Sequence, residues 1–148
     1  MTYEVLLIER VEKTWGYYEV LLKEPGYLVK KLYVKSGALM SLQRHFKRSE
    51  HWIVVSGRAI VYDEFGFKKY LKPDDSVYIG KRVWHSFFNL LSSPLIIIEI
   101  QMGSKTEEED IERVTESCMP GDEKYDYYSE LVGRGYDKIS TPSMDKPS

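Results

Sequence analysis

Between Trp15 and Gln101 the chain falls into short runs rich in Val, Ile, Tyr and Phe, separated by Gly, Pro, Ser and Asp. Tyr17–Leu22, Leu28–Val34, Trp52–Val55, Ala59–Asp63, Lys68–Leu71, Ser76–Ile79, Ser86–Leu90 and Leu95–Ile100 read as strands, because β-branched and aromatic residues at period two suit a half-buried pleated surface. Pro25-Gly26, Ser36-Gly37, Ser56-Gly57, Pro73-Asp74-Asp75 and Ser92-Ser93-Pro94 punctuate them as turns. Seven or eight short strands so spaced predict an all-β sandwich or small barrel. An N-terminal strand over Tyr3–Glu9 would leave an edge that needs covering.

Past Gly103 the pattern changes. Ser104 or Thr106 can cap a short helix through Glu107, Glu108, Glu109 and Asp110, ending before Pro120, since carboxylates suit a helix N-terminus. Residues 1–116 are therefore read as one domain and 117–148 as a C-terminal extension that is partly flexible, with its last eight or so residues mobile.

At 148 residues, 43% of them hydrophobic, the chain is long enough to bury a core without disulfides. A net charge of −2 offers no attraction to nucleic acid. No apolar run approaches the ~20 residues of a membrane span, and no signal segment opens the chain. The single cysteine, Cys118, has no partner for a disulfide or a CxxC zinc site. Both points lead to the expectation of a cytoplasmic protein.

Candidate chemistry concentrates between Gly37 and Gly57. Gln43 and His45, two apart, leave the same face of an extended segment. Glu50 follows across a short turn, and His85 can come from a neighbouring strand. Imidazole, amide oxygen and carboxylate together suit a divalent cation: zinc first, with Mn, Fe, Co or Ni also compatible. If Glu50 points inward, His51 points outward. Lys30 alternates with Leu32 and Val34, so it shares their apolar face; it either meets substrate oxygens or a proton, or snorkels to a barrel mouth. Trp52 is read as core, and the Glu107–Glu112 acidic run as a solvated face without the spacing of a calcium loop.

Gly37, five residues, a ligand pair, four residues, Glu50, six residues and Gly57 resemble the first cupin motif, with Gln43 where many cupins carry a histidine. His85, three residues and Asn89 resemble the second. Leu42-Gln43-x-His45 with Arg48-x-Glu50-His51-Trp52-Ile53-Val54-Val55-Ser56-Gly57, together with Trp15-Gly16-x-Tyr18-Glu19-Val20 and Ile98-Glu99-x-Gln101, resembles the C-terminal domain of type II mannose-6-phosphate isomerases, over about residues 10–116.

That resemblance implies a cupin double-stranded β-helix (jelly roll), a homodimer, and metal-dependent interconversion of mannose 6-phosphate and fructose 6-phosphate. Gln43, His45, Glu50 and His85 would hold the ion, Lys30 and Arg48 would assist at the reacting carbons, and Lys47, Arg82 and Arg113 would seat the sugar phosphate. The chain departs from the family where His45-Phe46-Lys47 replaces three histidines, Gly80-Lys81-Arg82 replaces Pro-x-Gly, and Lys13-Thr14 replaces Arg-Pro. No Gly-rich nucleotide loop precedes the cupin motifs, so the expected enzyme is a sugar-phosphate isomerase and not a guanylyltransferase. Two alternatives stand beside it. One is a cupin epimerase or ketoisomerase acting on nucleotide-linked sugars, often metal-free through a His and a Tyr; the other is a non-catalytic cupin that binds a sugar or a metal.

Overall fold

A computed structural model describes residues 8–63, 68–114, 117–123 and 126 of the chain. Its strands are β1 (Glu9–Lys13), β2 (Gly16–Glu24), β3 (Tyr27–Val34), β4 (Gln43–Arg44), β5 (Arg48–Ser56), β6 (Ala59–Asp63), β7 (Lys68–Leu71), β8 (Ser76–Ile79), β9 (His85–Asn89), β10 (Leu95–Gly103) and β11 (Glu112–Arg113). They form two antiparallel sheets, one ordered β1-β2-β3-β10-β5-β8 and the other β11-β4-β9-β6-β7. The alternation of apolar and polar side chains decides which face of each strand is inside. On β10, Leu95, Ile97, Glu99 and Gln101 are buried while Ile96, Ile98 and Ile100 are only half-buried.

The core lies between the sheets. Trp52, Val54, Val34, Leu95 and Ile97 come from the larger sheet and Phe87 and Val61 from the smaller. Trp52 meets Phe87 edge to face at 5.2 Å. A buried aromatic or branched side chain of this kind contributes on the order of 2 kcal/mol through apolar burial. Gly37 and Gly57 both have positive φ, 71° and 88°. At Gly57 a Cβ would also stand 2.7 Å from the Pro94 carbonyl oxygen, so glycine alone lets the β5–β6 turn pass that close. Asn89 of the second motif is a brace: its Nδ2 donates to the carbonyls of Val34, Lys35 and Ser93, and its Oδ1 accepts from Leu91 N–H.

The helix expected over Glu107–Asp110 does not form. Residues 104–111 are turns and irregular chain leading into β11. Tertiary contacts outcompete the helical ladder here. The Asp110 carboxylate accepts from the N–H groups of Phe46 and Lys47 at 3.0 and 2.9 Å, and the Glu107 carbonyl accepts from Arg48 Nη1 at 3.0 Å. The segment is thus a strap across one end of the barrel. Of the expected N-terminal strand, Tyr3–Leu7 lies outside the described residues, and Glu9 opens β1 on the edge of the larger sheet. In the C-terminal extension Cys118 is buried and bridges Leu39, while most of 124–148 lies outside the described residues. No helix of the described residues is long and apolar enough to cross a membrane.

Candidate metal centre and cavity

Three strands carry the centre inward. Gln43 on β4 pairs with His85 on β9, and Glu50 on β5 pairs with Gln101 on β10. His45 follows β4 directly. The ligand atoms of His45, Glu50 and His85 lie within 4.8 Å of one another, and all three residues are buried. Glu50 Oε2 is 3.3 Å from His45 Nε2, and Glu50 Oε1 is 3.6 Å from His85 Nε2.

The donor chemistry fits a metal ion. His45 Nδ1 donates to the Asp110 carbonyl at 2.7 Å and His85 Nδ1 to the Val83 carbonyl at 2.9 Å. Those bonds fix the tautomer that leaves each Nε2 lone pair facing Glu50, the usual outer support of a ligating imidazole. Both rings are held neutral. Burial, then the Arg48 guanidinium, with the neighbouring His85 ring resisting a second charge, push His45 down to about 3; burial, with Arg48, lowers His85 to about 4. Neutral imidazole is the form that binds metal. The three can therefore hold a metal ion. Gln43, 7% exposed, lines the same cavity.

This cavity has a volume of about 250 Å³. Beyond the histidines its wall is made by an inward-facing polar row on β10 and β5. Trp52 Nε1 is shared between Glu99 Oε2 at 2.9 Å and Glu50 Oε1 at 3.2 Å. Gln101 Nε2 donates to Glu99 Oε1 at 2.8 Å, while Gln101 Oε1 is buried without a hydrogen-bond partner. Burial, reinforced by the nearby Glu50 charge, raises the Glu99 carboxyl to about 7. Two buried carboxylates around one indole N–H repel each other, which favours the neutral form of the second.

The expected site residues divide into two groups. Lys30, Gln43, His45, Arg48, Glu50, His85 and Arg113 all line the cavity, Arg113 from an exposed position. Lys47 and Arg82 do not: both are exposed on the outer surface, because Lys47 alternates with the inward Arg48 and Arg82 tops the turn before β9. Arg48 is buried, not a solvated turn residue, and donates through Nε to Glu50 Oε2 at 2.9 Å and through Nη2 toward His45 Nε2 at 3.3 Å. Lys30 is buried as well and meets Glu108. His51 faces outward against Tyr78. Glu99, Gln101, Tyr18 and Glu108 also line the cavity, although no site role is expected of them from sequence; the alternation along β10 carries the signal for the first two, whereas Glu108 is brought in by the strap.

Two sheets closed around buried imidazole and carboxylate ligands define a cupin, a double-stranded β-helix with a metal-type centre. The model of the family "Mannose-6-phosphate isomerase C-terminal" matches residues 3–116, and the chain belongs to this family. The alginate biosynthesis protein AlgA of Pseudomonas syringae pv. tomato is 44% identical over 104 residues, 70% of this chain and 21% of that protein. A mannose-1-phosphate guanylyltransferase of Salmonella muenchen is 40% identical over 105 residues, 70% of this chain and 22% of the relative. The chain thus spans about a fifth of the length of these relatives. A protein with a double-stranded β-helix domain from Klebsiella pneumoniae shares the fold, with a TM-score of 0.58, 18% identity, and coverage of 72% of this chain and 84% of that one.

These relatives correct the functional expectation. The similar proteins are named for guanylyl transfer and polysaccharide biosynthesis, so the expected mannose 6-phosphate isomerase activity does not stand, nor does the exclusion of a guanylyltransferase. Of the basic residues expected to seat a sugar phosphate, Lys47 and Arg82 are exposed and do not line the cavity.

Proposed function

We propose that the chain is a sugar-modifying cupin acting on a nucleotide-linked sugar, as an epimerase or ketoisomerase, around a divalent cation held by His45, Glu50 and His85 with Gln43 beside them. The observation that carries this reading is one cavity lined both by a two-imidazole, one-carboxylate donor set and by a second buried carboxyl, Glu99, joined to Glu50 through the Trp52 indole N–H.

Epimerisation and ketoisomerisation both remove a proton from a carbon beside a carbonyl. They need a group that takes and returns a proton near neutrality, and positive charge beside the oxygen that becomes anionic. Glu99 suits the first task. Arg48 and Lys30 are cations on the same cavity and suit the second, with Arg113 at the mouth for a charged part of the substrate. A divalent ion, when bound, would polarise a substrate oxygen. Zinc suits the donor set best, and Mn, Fe, Co or Ni accept the same ligands.

The relatives' names favour this substrate class. Guanylyl transfer to mannose 1-phosphate, for which one relative is named, makes a nucleotide-linked sugar. The same reading places the protein in the cytoplasm as a homodimer, paired through the outer face of its larger sheet.

Elemental analysis coupled to NMR tests it. A panel of nucleotide-linked keto-sugars is incubated in deuterated water with the protein, with and without chelator. Deuterium entering the carbon beside the carbonyl, lost with chelation and restored by metal, is the expected result. Stoichiometric metal with no exchange and no product across the panel would overturn the catalytic reading.

A further inference from the structure

At the mouth of the cavity, away from the three proposed metal ligands, an anion is already seated. Lys30 projects inward from β3 with its side chain 5% exposed. Its Nζ donates to Glu108 Oε2 at 2.8 Å and lies 4.0 Å from the centre of the Tyr18 ring. Burial first, then the Glu108 charge, hold the Tyr18 phenol protonated well above the usual phenol range. A buried ammonium, stacked over the Tyr18 ring, thus holds one carboxylate.

That carboxylate comes from the strap, not from the barrel. The Glu108 side chain is 45% exposed, whereas Lys30 is part of β3 and cannot leave. Partial burial pushes the Glu108 carboxyl up, but the Lys30 charge and hydrogen bond, with Arg48 and Lys13 beyond, outweigh it and hold the group below the usual range. The strap keeps other anchors when this contact breaks, since Asp110 is held by Phe46 and Lys47, and Glu107 by Arg48. Lys30, Tyr18 and Glu108 also line an outer groove with Val20, Leu28 and Thr106, so the Lys30–Glu108 pair is the partition between that groove and the central cavity.

We propose that Glu108 holds the place of a substrate oxyanion: Lys30 and Tyr18 form an anion seat, and an entering phosphate or carboxylate group displaces Glu108 and joins the cavity to the outer groove. A buried ammonium needs an anion at all times, because leaving it alone is far costlier than exchanging one partner for another. Glu108 satisfies that need at the high effective concentration of a tethered group. Neutral ligands cannot take over its role, so the pair selects for charge. The inference deepens the sugar-modifying reading by giving the substrate an oxyanion at the cavity mouth.

Titration of the full chain with inorganic phosphate and, separately, with acetate, at constant ionic strength and followed by calorimetry, tests the seat without turnover or metal. Glu108→Gln keeps the shape and removes the competing charge. Glu109→Gln removes one exposed charge from the same strap and serves as the control. Glu108→Gln is expected to bind one of the two anions about tenfold more tightly than wild type, Glu109→Gln to match wild type, and Glu108→Gln/Lys30→Met to lose the gain. A larger gain for phosphate assigns the seat to a phosphoryl group, and a larger gain for acetate to a carboxylate. Equal affinities in Glu108→Gln and Glu109→Gln, or a gain that survives removal of Lys30, would overturn the proposal. A failed exchange assay or a metal-free protein leaves these titrations unaffected, so the two proposals fail separately.

Discussion

Arg48 donates through Nε to Glu50 Oε2 at 2.9 Å, and that oxygen is one of the atoms proposed to bind metal. A buried guanidinium therefore neutralises the carboxylate when no ion does, and competes with an ion that arrives. The Arg48→Met substitution separates the two effects. Without metal it leaves a buried carboxylate unpaired, a change that costs about 3–5 kcal/mol. With metal the carboxylate regains a cation and the site loses a repulsive charge. The melting temperature of metal-free Arg48→Met should fall well below wild type, and zinc should raise it by more than it raises wild type. Equal zinc-induced shifts in the two proteins would show that Arg48 and the ion do not share Glu50.

Removing a ligand tests the centre itself. Glu50→Ala and His85→Ala should each weaken zinc binding by more than about 100-fold, beyond the 10- to 100-fold range typical of outer-shell changes. Competition against a chromophoric chelator measures it. Gln43→Ala should cost less, because an amide oxygen carries no charge. Unchanged zinc affinity in both Glu50→Ala and His85→Ala would remove these residues from the ligand set.

Much of this centre was legible in the sequence because its parts lie on strands of period two. Gln43 and His45, Glu50 after its turn, and Lys30 beside Leu32 all face inward as alternation requires. The seat of Arg48 was also within reach, as it alternates with Glu50. What alternation could not give is the path of chain without a ladder. The acidic run at Glu107–Asp110 reads locally as a helix start, yet Phe46 and Lys47 N–H groups and the Arg48 guanidinium capture its polar groups. That competition is set by residues some sixty positions earlier, and the contact of Lys30 with Glu108 follows from it.

The outward half of the same alternation bears on assembly. Ile53 and Val55 on β5 are 38% and 53% exposed, and Tyr78 on β8 is 61% exposed. Ile53 pairs with Ile98 and His51 with Ile100, so these side chains form one apolar face of the larger sheet. Contiguous apolar surface of this kind marks an interaction site, and a two-fold partner presenting the same patch would cover it. Light scattering after size exclusion should give a dimer for wild type and a monomer for Val55→Lys/Tyr78→Lys, with unchanged circular dichroism. A monomeric wild type would rule out self-association through this face.

The Glu99 carboxyl gives the molecule a pH dependence opposite in sign to that of its histidines. Its folded-state value of about 7 lies above its ordinary 4.5. Its contribution to stability is therefore fully present below about 4.5 and is lost as pH rises through about 7. His45 and His85, lowered to about 3 and about 4, contribute stability that is present above about 6.5 and lost as pH falls toward those values. In wild type the two trends partly cancel between 4.5 and 6.5. Glu99→Gln removes one of them. The difference in unfolding free energy between Glu99→Gln and wild type should move in favour of the variant as pH rises from 5 to 8, by on the order of 3 kcal/mol at most. Urea unfolding of the metal-free proteins at both values measures it. A difference that stays constant with pH would mean that Glu99 is already ionised at pH 5, and the group that holds a proton near neutrality in this cavity would have to be sought elsewhere.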